Sequence, residues 1–171
     1  MHPRRHIISN FRWILAAALT AFVGLARADI NQWEYINPAD PSQGKQPSAI
    51  VCPGGYGVTA QQGANLQSLD LNHAYLINAD LTLAYMALAD LTSADLSDAS
   101  LAVANLESAK LNDATLRNAI LVNAVLDNAD LTGADFTGAI VRGASFGRYY
   151  NGSTGISLTQ LYSTASYQAR N

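Results

Sequence analysis

From Leu66 to Phe146 an apolar residue falls on every fifth position: Leu66, Leu71, Leu76, Leu81, Met86, Leu91, Leu96, Leu101, Leu106, Leu111, Leu116, Leu121, Leu126, Leu131, Phe136, Val141 and Phe146. Two places before each of these stands an alanine in 16 of 17 cases, Leu69 being the exception. A period of five fits neither the 3.6 of a helix nor the 2.0 of an ordinary strand. It fits a chain that stacks equivalent short units and buries the recurring residue along one axis. Bundles and sandwiches are thereby excluded for this half of the chain.

Units such as Ala79-Asp80-Leu81-Thr82-Leu83, Ala89-Asp90-Leu91-Thr92-Ser93 and Ala129-Asp130-Leu131-Thr132-Gly133 follow the pattern A-(D/N)-L-x-x. In one unbroken register over about 85 of 171 residues, this resembles the pentapeptide repeat family. The resemblance implies an all-β fold, a right-handed quadrilateral parallel β-helix in which four pentapeptides make a coil of 20 residues. The residues agree with such a solenoid. Leucine fills the axis, alanine fits where the chain turns and space is short, and Gly133, Gly138 and Gly143 suit corners with unusual backbone angles. Seventeen repeats make a little over four coils, a rod roughly 20 Å long at the ~4.8 Å spacing of paired strands. Each buried leucine contributes about 2 kcal/mol, so the stacked columns drive folding.

Residues 1–28 read as a secretory signal peptide. Arg4, Arg5 and Arg12 make a positive start, Ile14 to Leu25 form an apolar run, and Ala26-Arg27-Ala28 places small residues before a cleavage after Ala28. A membrane anchor is the competing reading, but the run of about 12 residues is short of the ~20 that span a bilayer. The expectation is an exported protein, periplasmic or extracellular, with no membrane span in the mature chain. From Asp29 onward 6 basic and 13 acidic residues leave a net charge near −7, which argues against nucleic acid as a partner. The single cysteine, Cys52, excludes an internal disulfide framework.

Two segments flank the repeats at 64–148. Residues 29–63 carry turn signals at Asn37-Pro38, Asp40-Pro41-Ser42 and Cys52-Pro53-Gly54-Gly55. They read as an N-terminal cap over an open coil, packed through Trp33, Tyr35, Ile36, Ile50 and Val51. An aromatic ligand site around Trp33 and Tyr35 is the alternative. In 149–171, Ser157 and Gln160 fit a capping box, and Leu158, Leu161, Tyr162, Ala165 and Ala169 follow at helical spacing. A short C-terminal helix over the last coil is expected, a dimer contact through it being the alternative. The segments Asp29–Gln46, Cys52–Gly55 and Gln160–Tyr167 are similar to an exported bacterial subset of the family, in which further repeats usually follow; the chain resembles a short or truncated member.

A 20-residue coil sorts the outward residues into columns. Asp70, Asp90, Lys110 and Asp130 form one, readable as a cation site or as a solvated face in which Lys110 separates like charges. Leu83, Val103, Ile120, Val122 and Ile140 point outward on another side, with Tyr85, Leu88 and Val125 around the next corner. Contiguous exposed apolar surface marks an interaction site, so this strip is the candidate for a protein partner or self-association, unless the cap or the C-terminal helix folds across it. His73, Ser93 and Asp113 share a column, but a hydrolase triad needs histidine in the middle. Asp95 and Asp98 are read as facing solvent with no apolar pocket to separate their pKa values. One histidine and one cysteine cannot make a structural zinc site, and no glycine-rich phosphate loop precedes a helix. Asn118, Asn123 and Asn128 are read as turn residues.

No enzyme, cofactor or metal is therefore expected. The reading is a non-enzymatic structural, binding or scaffold module. The alternative, implied by the family resemblance, is a DNA-mimic inhibitor of a DNA-binding enzyme such as gyrase.

Overall fold

The repeat unit closes through its backbone in the same way at every corner. In each, the alanine N–H donates to the carbonyl of the apolar residue three places earlier, as Ala79 does to Leu76 at 3.1 Å and Ala104 to Leu101 at 3.1 Å. The residue before the alanine has positive φ, as in Asn78 at 59° and Asn118 at 56°. That is the type II turn pattern. Three further N–H groups per unit bond to adjacent coils: Leu81 donates to Ser100 at 2.8 Å, Leu83 to Ala102 at 2.9 Å, and Ser100 back to Ala79 at 2.9 Å. One N–H, just after the apolar residue, is left over. The Asp or Asn of the motif accepts it, as Asp80 does from Thr82 at 3.1 Å and Asp135 from Thr137 at 2.9 Å. The A-(D/N)-L-x-x pattern is thus a complete accounting of the unit's donors.

The computed structural model describes residues 29–149 and 154–169, and the signal segment expected at 1–28 lies outside them. Parallel bridges join residues 20 apart, from Asn65–Tyr85 through Ile120–Ile140 and Val125–Ser145. Four pentapeptides therefore bring the chain back over itself. Along the axis, Leu66 through Phe136 are at most 2% exposed, and the alanines from Ala84 to Ala139 line the same core at 0–4%.

The open end of the first coil is paired. Strands β1 (Asn31–Tyr35) and β2 (Lys45–Val51) form an antiparallel hairpin linked through a 3-10 turn at Pro41–Gln43. Trp33 N–H donates to His73, Tyr75 N–H to Asn31, and Gly54 N–H to Asp70, at 2.7–2.9 Å. Gly54 approaches so closely that a Cβ there would lie 2.6 Å from the Asp70 nitrogen. Because contact runs through residues 30–33 and 52–54, Ile30 and Cys52 close the core at 3% and 0% exposure. The packing expected of Tyr35, Ile36 and Ile50 is corrected accordingly: all three lie beyond that line and stay exposed.

The last coil is met by a few apolar side chains, Ile156 and the expected Leu161, and by a set of polar groups. Helices α1 (Leu158–Ser163) and α2 (Ala165–Gln168) replace the single helix expected. Thr164, with extended ψ of 148°, ends the first and caps the second. The capping box at Ser157 and Gln160 is present. Gln160 Nε2 donates to Leu131 and Ala134 carbonyls, Leu131 N–H to Thr154 Oγ1, Gly138 N–H to Ser163, and Val141 N–H to Ser166 Oγ. Apart from the Leu131 carbonyl, which already closes its own turn with the Ala134 N–H, these bonds take up groups that a further coil would satisfy. Leu158 and Tyr162, expected on the buried side, are exposed.

Candidate interaction surface

The columns differ in how they treat charge. Lys110 Nζ pairs with Asp90 Oδ2 at 3.0 Å. It does not bridge to Asp130, whose carboxylate instead accepts from Asn112, Thr132 and Thr154. Burial works against charge on Asp90 and Asp130, yet these hydrogen bonds outweigh it and hold both carboxyls below their usual range. Asp135 behaves alike: burial opposes its charge, while Thr137 and the Arg117 guanidinium, 2.6 Å away, lower its pKa.

Asp95 corrects the sequence reading most sharply. It does not face solvent but is 3% exposed, paired with Lys45 Nζ at 2.6 Å and accepting from Ser97. Lys45 lies 3.9 Å from the centre of the Trp33 ring, and Trp33 Nε1 donates to Ser93 O at 2.8 Å. Sequence reasoning missed this cluster because Lys45 and Asp95 are 50 residues apart and only docking of the hairpin joins them. Between the hairpin and this column runs a groove of about 440 Å³, lined by Tyr35, Lys45, Asp95, Thr115, Arg117 and Asp135 among others. Its four charged side chains neutralise one another in two pairs.

The hairpin covers the column of Tyr75, Asp95, Thr115 and Asp135, not the apolar strip. Leu83, Tyr85, Leu88, Val103 and Ile120 are exposed, by 39–60%, while Val122, Val125 and Ile140 are partly buried. Of the C-terminal helices, α2 reaches only the margin, where Ala165, Ser166 and Ala169 flank Ile140 and Arg142.

Two local rules are broken on this strip. Corners elsewhere hold Ser, His, Asn, Asp or Gly, residues of small size or with polar side chains; here they hold Leu83, Leu88 and Val103, at φ of 61°, 61° and 58°. A bulky or β-branched residue at positive φ is an outlier that stores strain. Ile120, Val125 and Ile140 stand where Asp or Asn would accept the leftover N–H, and none has an oxygen to offer. Backbone strain, lost hydrogen bonds and exposed apolar area thus coincide.

His73, Ser93 and Asp113 occupy equivalent corners of successive coils, with Ser93 between the others. His73 packs against the Trp33 ring and meets its neighbour Asn72. Among the described residues, no group of three or more His, Cys, Asp or Glu side chains is placed to hold a metal. Nor is any helix there long and apolar enough to cross a membrane. Cys52 is a free, buried thiol, its pKa pushed up to about 11 by burial and by the charge of Asp70.

The repeat geometry has a match among known families. The model of the pentapeptide repeats matches in eight copies, over residues 62–101, 84–121 and 109–148, just over half of the chain. The chain belongs to the pentapeptide repeat family. Proteins of this family form right-handed β-helices and are generally structural or binding proteins rather than catalysts. Among solved structures, this pentapeptide repeat protein is similar to HetL, involved in heterocyst differentiation regulation, from the cyanobacterium Nostoc sp. strain PCC 7120. Identity is 35%, covering 49% of this chain and 43% of HetL, with a TM-score of 0.26. It is also similar to Rfr23 from the cyanobacterium Cyanothece 51142, at 27% identity over 67% and 73% of the two chains, TM-score 0.30. QnrB1, a plasmid-mediated fluoroquinolone resistance protein, matches at 26% identity over 37% and 38%, TM-score 0.21. The chain thus spans less than half the length of HetL. No curated protein matches it.

Proposed function

We propose that this chain is an exported, non-enzymatic, four-sided pentapeptide scaffold that binds a protein through the strip of Leu83, Tyr85, Leu88, Val103, Ile120, Val122, Val125 and Ile140. The observation carrying this reading is the set of strained, exposed corners at Leu83, Leu88 and Val103. Ser, Asn or Gly would relieve each of them, so retaining bulky apolar residues there is supported by a surface role. A DNA-mimic role draws less support, because Lys45, Lys110 and Arg117 each neutralise an aspartate of the ladders. Export is supported by the pattern of residues 1–28, and mass spectrometry of the exported protein is expected to find Asp29 at its start.

The partner reading is tested by capture from the exported fraction with the wild-type protein and with Leu83→Asp/Ile120→Asp. Proteins retained by the first and lost from the second support the strip. Identical retention by both overturns it.

A further inference from the structure

We infer that the occupant of this strip is a second copy of the chain, related by a two-fold axis lying in the face and pairing the two rods antiparallel. The inference rests on the strip being an interaction surface and adds what fits it. The face consists of residues 80–84, 100–104, 120–124 and 140–144, stacked through the Asp80–Ser100–Ile120–Ile140 bridges. Of these 20 residues only Asp80 and Arg142 are charged. Each of the other three columns carries charge in its interior coils: Glu107 and Asp127 on one, Asp90 and Lys110 on the next, Asp95 and Arg117 on the third.

The two charges stand at opposite ends of the apolar stretch. Asp80 lies on the first coil of this face and Arg142 on the fourth, three steps or about 14 Å apart along the rod. Both are exposed, and neither takes part in an ion pair among the described residues, whereas the three pairs found join Lys45–Asp95, Lys110–Asp90 and Arg117–Asp135. Two of the polar side chains between them satisfy each other, Thr82 Oγ1 lying 2.8 Å from Ser100 Oγ. A parallel pairing would set Asp80 against Asp80 and Arg142 against Arg142. Antiparallel pairing sets the first coil of each copy against the fourth of the other, which brings Asp80 within side-chain reach of the second copy's Arg142, twice by symmetry. Val103 of the second coil then faces the third coil of the other copy, with its Ile120 and Val122, and Leu83 faces the fourth, with its Ile140, so that both apolar faces leave water as they pack. The face is self-complementary in charge, which a surface made for an unrelated partner has no reason to be.

Charge reversal tests the arrangement directly, by sedimentation velocity of the purified chain at a series of micromolar concentrations. The wild type is expected to dimerise. Arg142→Glu and Asp80→Lys, each creating two like-charge contacts, are expected to weaken the dimer about tenfold, with far-UV circular dichroism unchanged and, in Asp80→Lys, a small drop in Tm from the lost acceptor of the Thr82 N–H. Asp80→Lys/Arg142→Glu is expected to restore it. A wild type that stays monomeric overturns the second copy as occupant; the strip as a partner site then stands or falls by the capture comparison above. A dimer indifferent to the single reversals, or not restored by the double one, overturns the antiparallel pairing.

Discussion

The Asp95 face and the Ile120 face share one backbone and differ in most of what points outward. On the first, Asp95 and Asp135 accept the leftover N–H groups, Lys45 and Arg117 neutralise them, and the hairpin packs alongside. On the second, isoleucines replace the acceptors, leucine and valine occupy positive-φ corners, and no segment among the described residues covers the middle. The comparison teaches that the core and the inter-coil bonds tolerate either chemistry. Outer positions are therefore free to vary, and the proposed binding strip lies where they depart from the local rules.

The largest test concerns what the faces share. Leu96→Ala and Leu101→Ala remove fully buried side chains behind the Asp95 and Ile120 faces respectively, and each is expected to cost about 3 kcal/mol in guanidinium unfolding. A large cost on one side alone would break the idea of a common core. Next, Lys45→Ala leaves the buried Asp95 carboxylate without its partner, at an expected cost of ~3 kcal/mol. An unchanged midpoint would mean that the hairpin is not held by this pair.

Corner exchanges sharpen the contrast in opposite directions. Val103→Asn relieves a β-branched residue at φ of 58° and is expected to stabilise by about 1 kcal/mol while weakening association. Asn118→Val, at a corner beside the Asp95 face, is expected to destabilise by a similar amount. Thermal unfolding measures both, and equal signs would remove the strain argument. The smallest effect is acid dependence. Asp90, Asp130 and Asp135 have folded pKa values below their ordinary range. Their stabilisation is complete above the unfolded carboxylate value and is lost as pH falls through the folded ones. Tm is therefore expected to drop below about pH 4, less steeply in Asp135→Asn and unchanged in slope in Ile120→Asn.

Much of this molecule follows from the five-residue period. Because the type II turn, the alanine and the axial leucine are local, the period by itself determined the core and the corners, while the family resemblance implied the stacking partners 20 residues apart and so the columns of the surface. The turn roles of Asn118, Asn123 and Asn128 and the outward direction of Leu83 and Val103 were readable for the same reason. Only the tertiary structure decided how non-repeating segments meet the rod. It buried Asp95 beneath Lys45, left Ile36 and Ile50 outside the cap, divided the C-terminal helix at Thr164, and laid the hairpin over one face rather than its neighbour. A periodic sequence carries its own contact map at a fixed separation, whereas contacts such as Lys45–Asp95 or Gln160–Leu131 join residues at separations that no local pattern encodes.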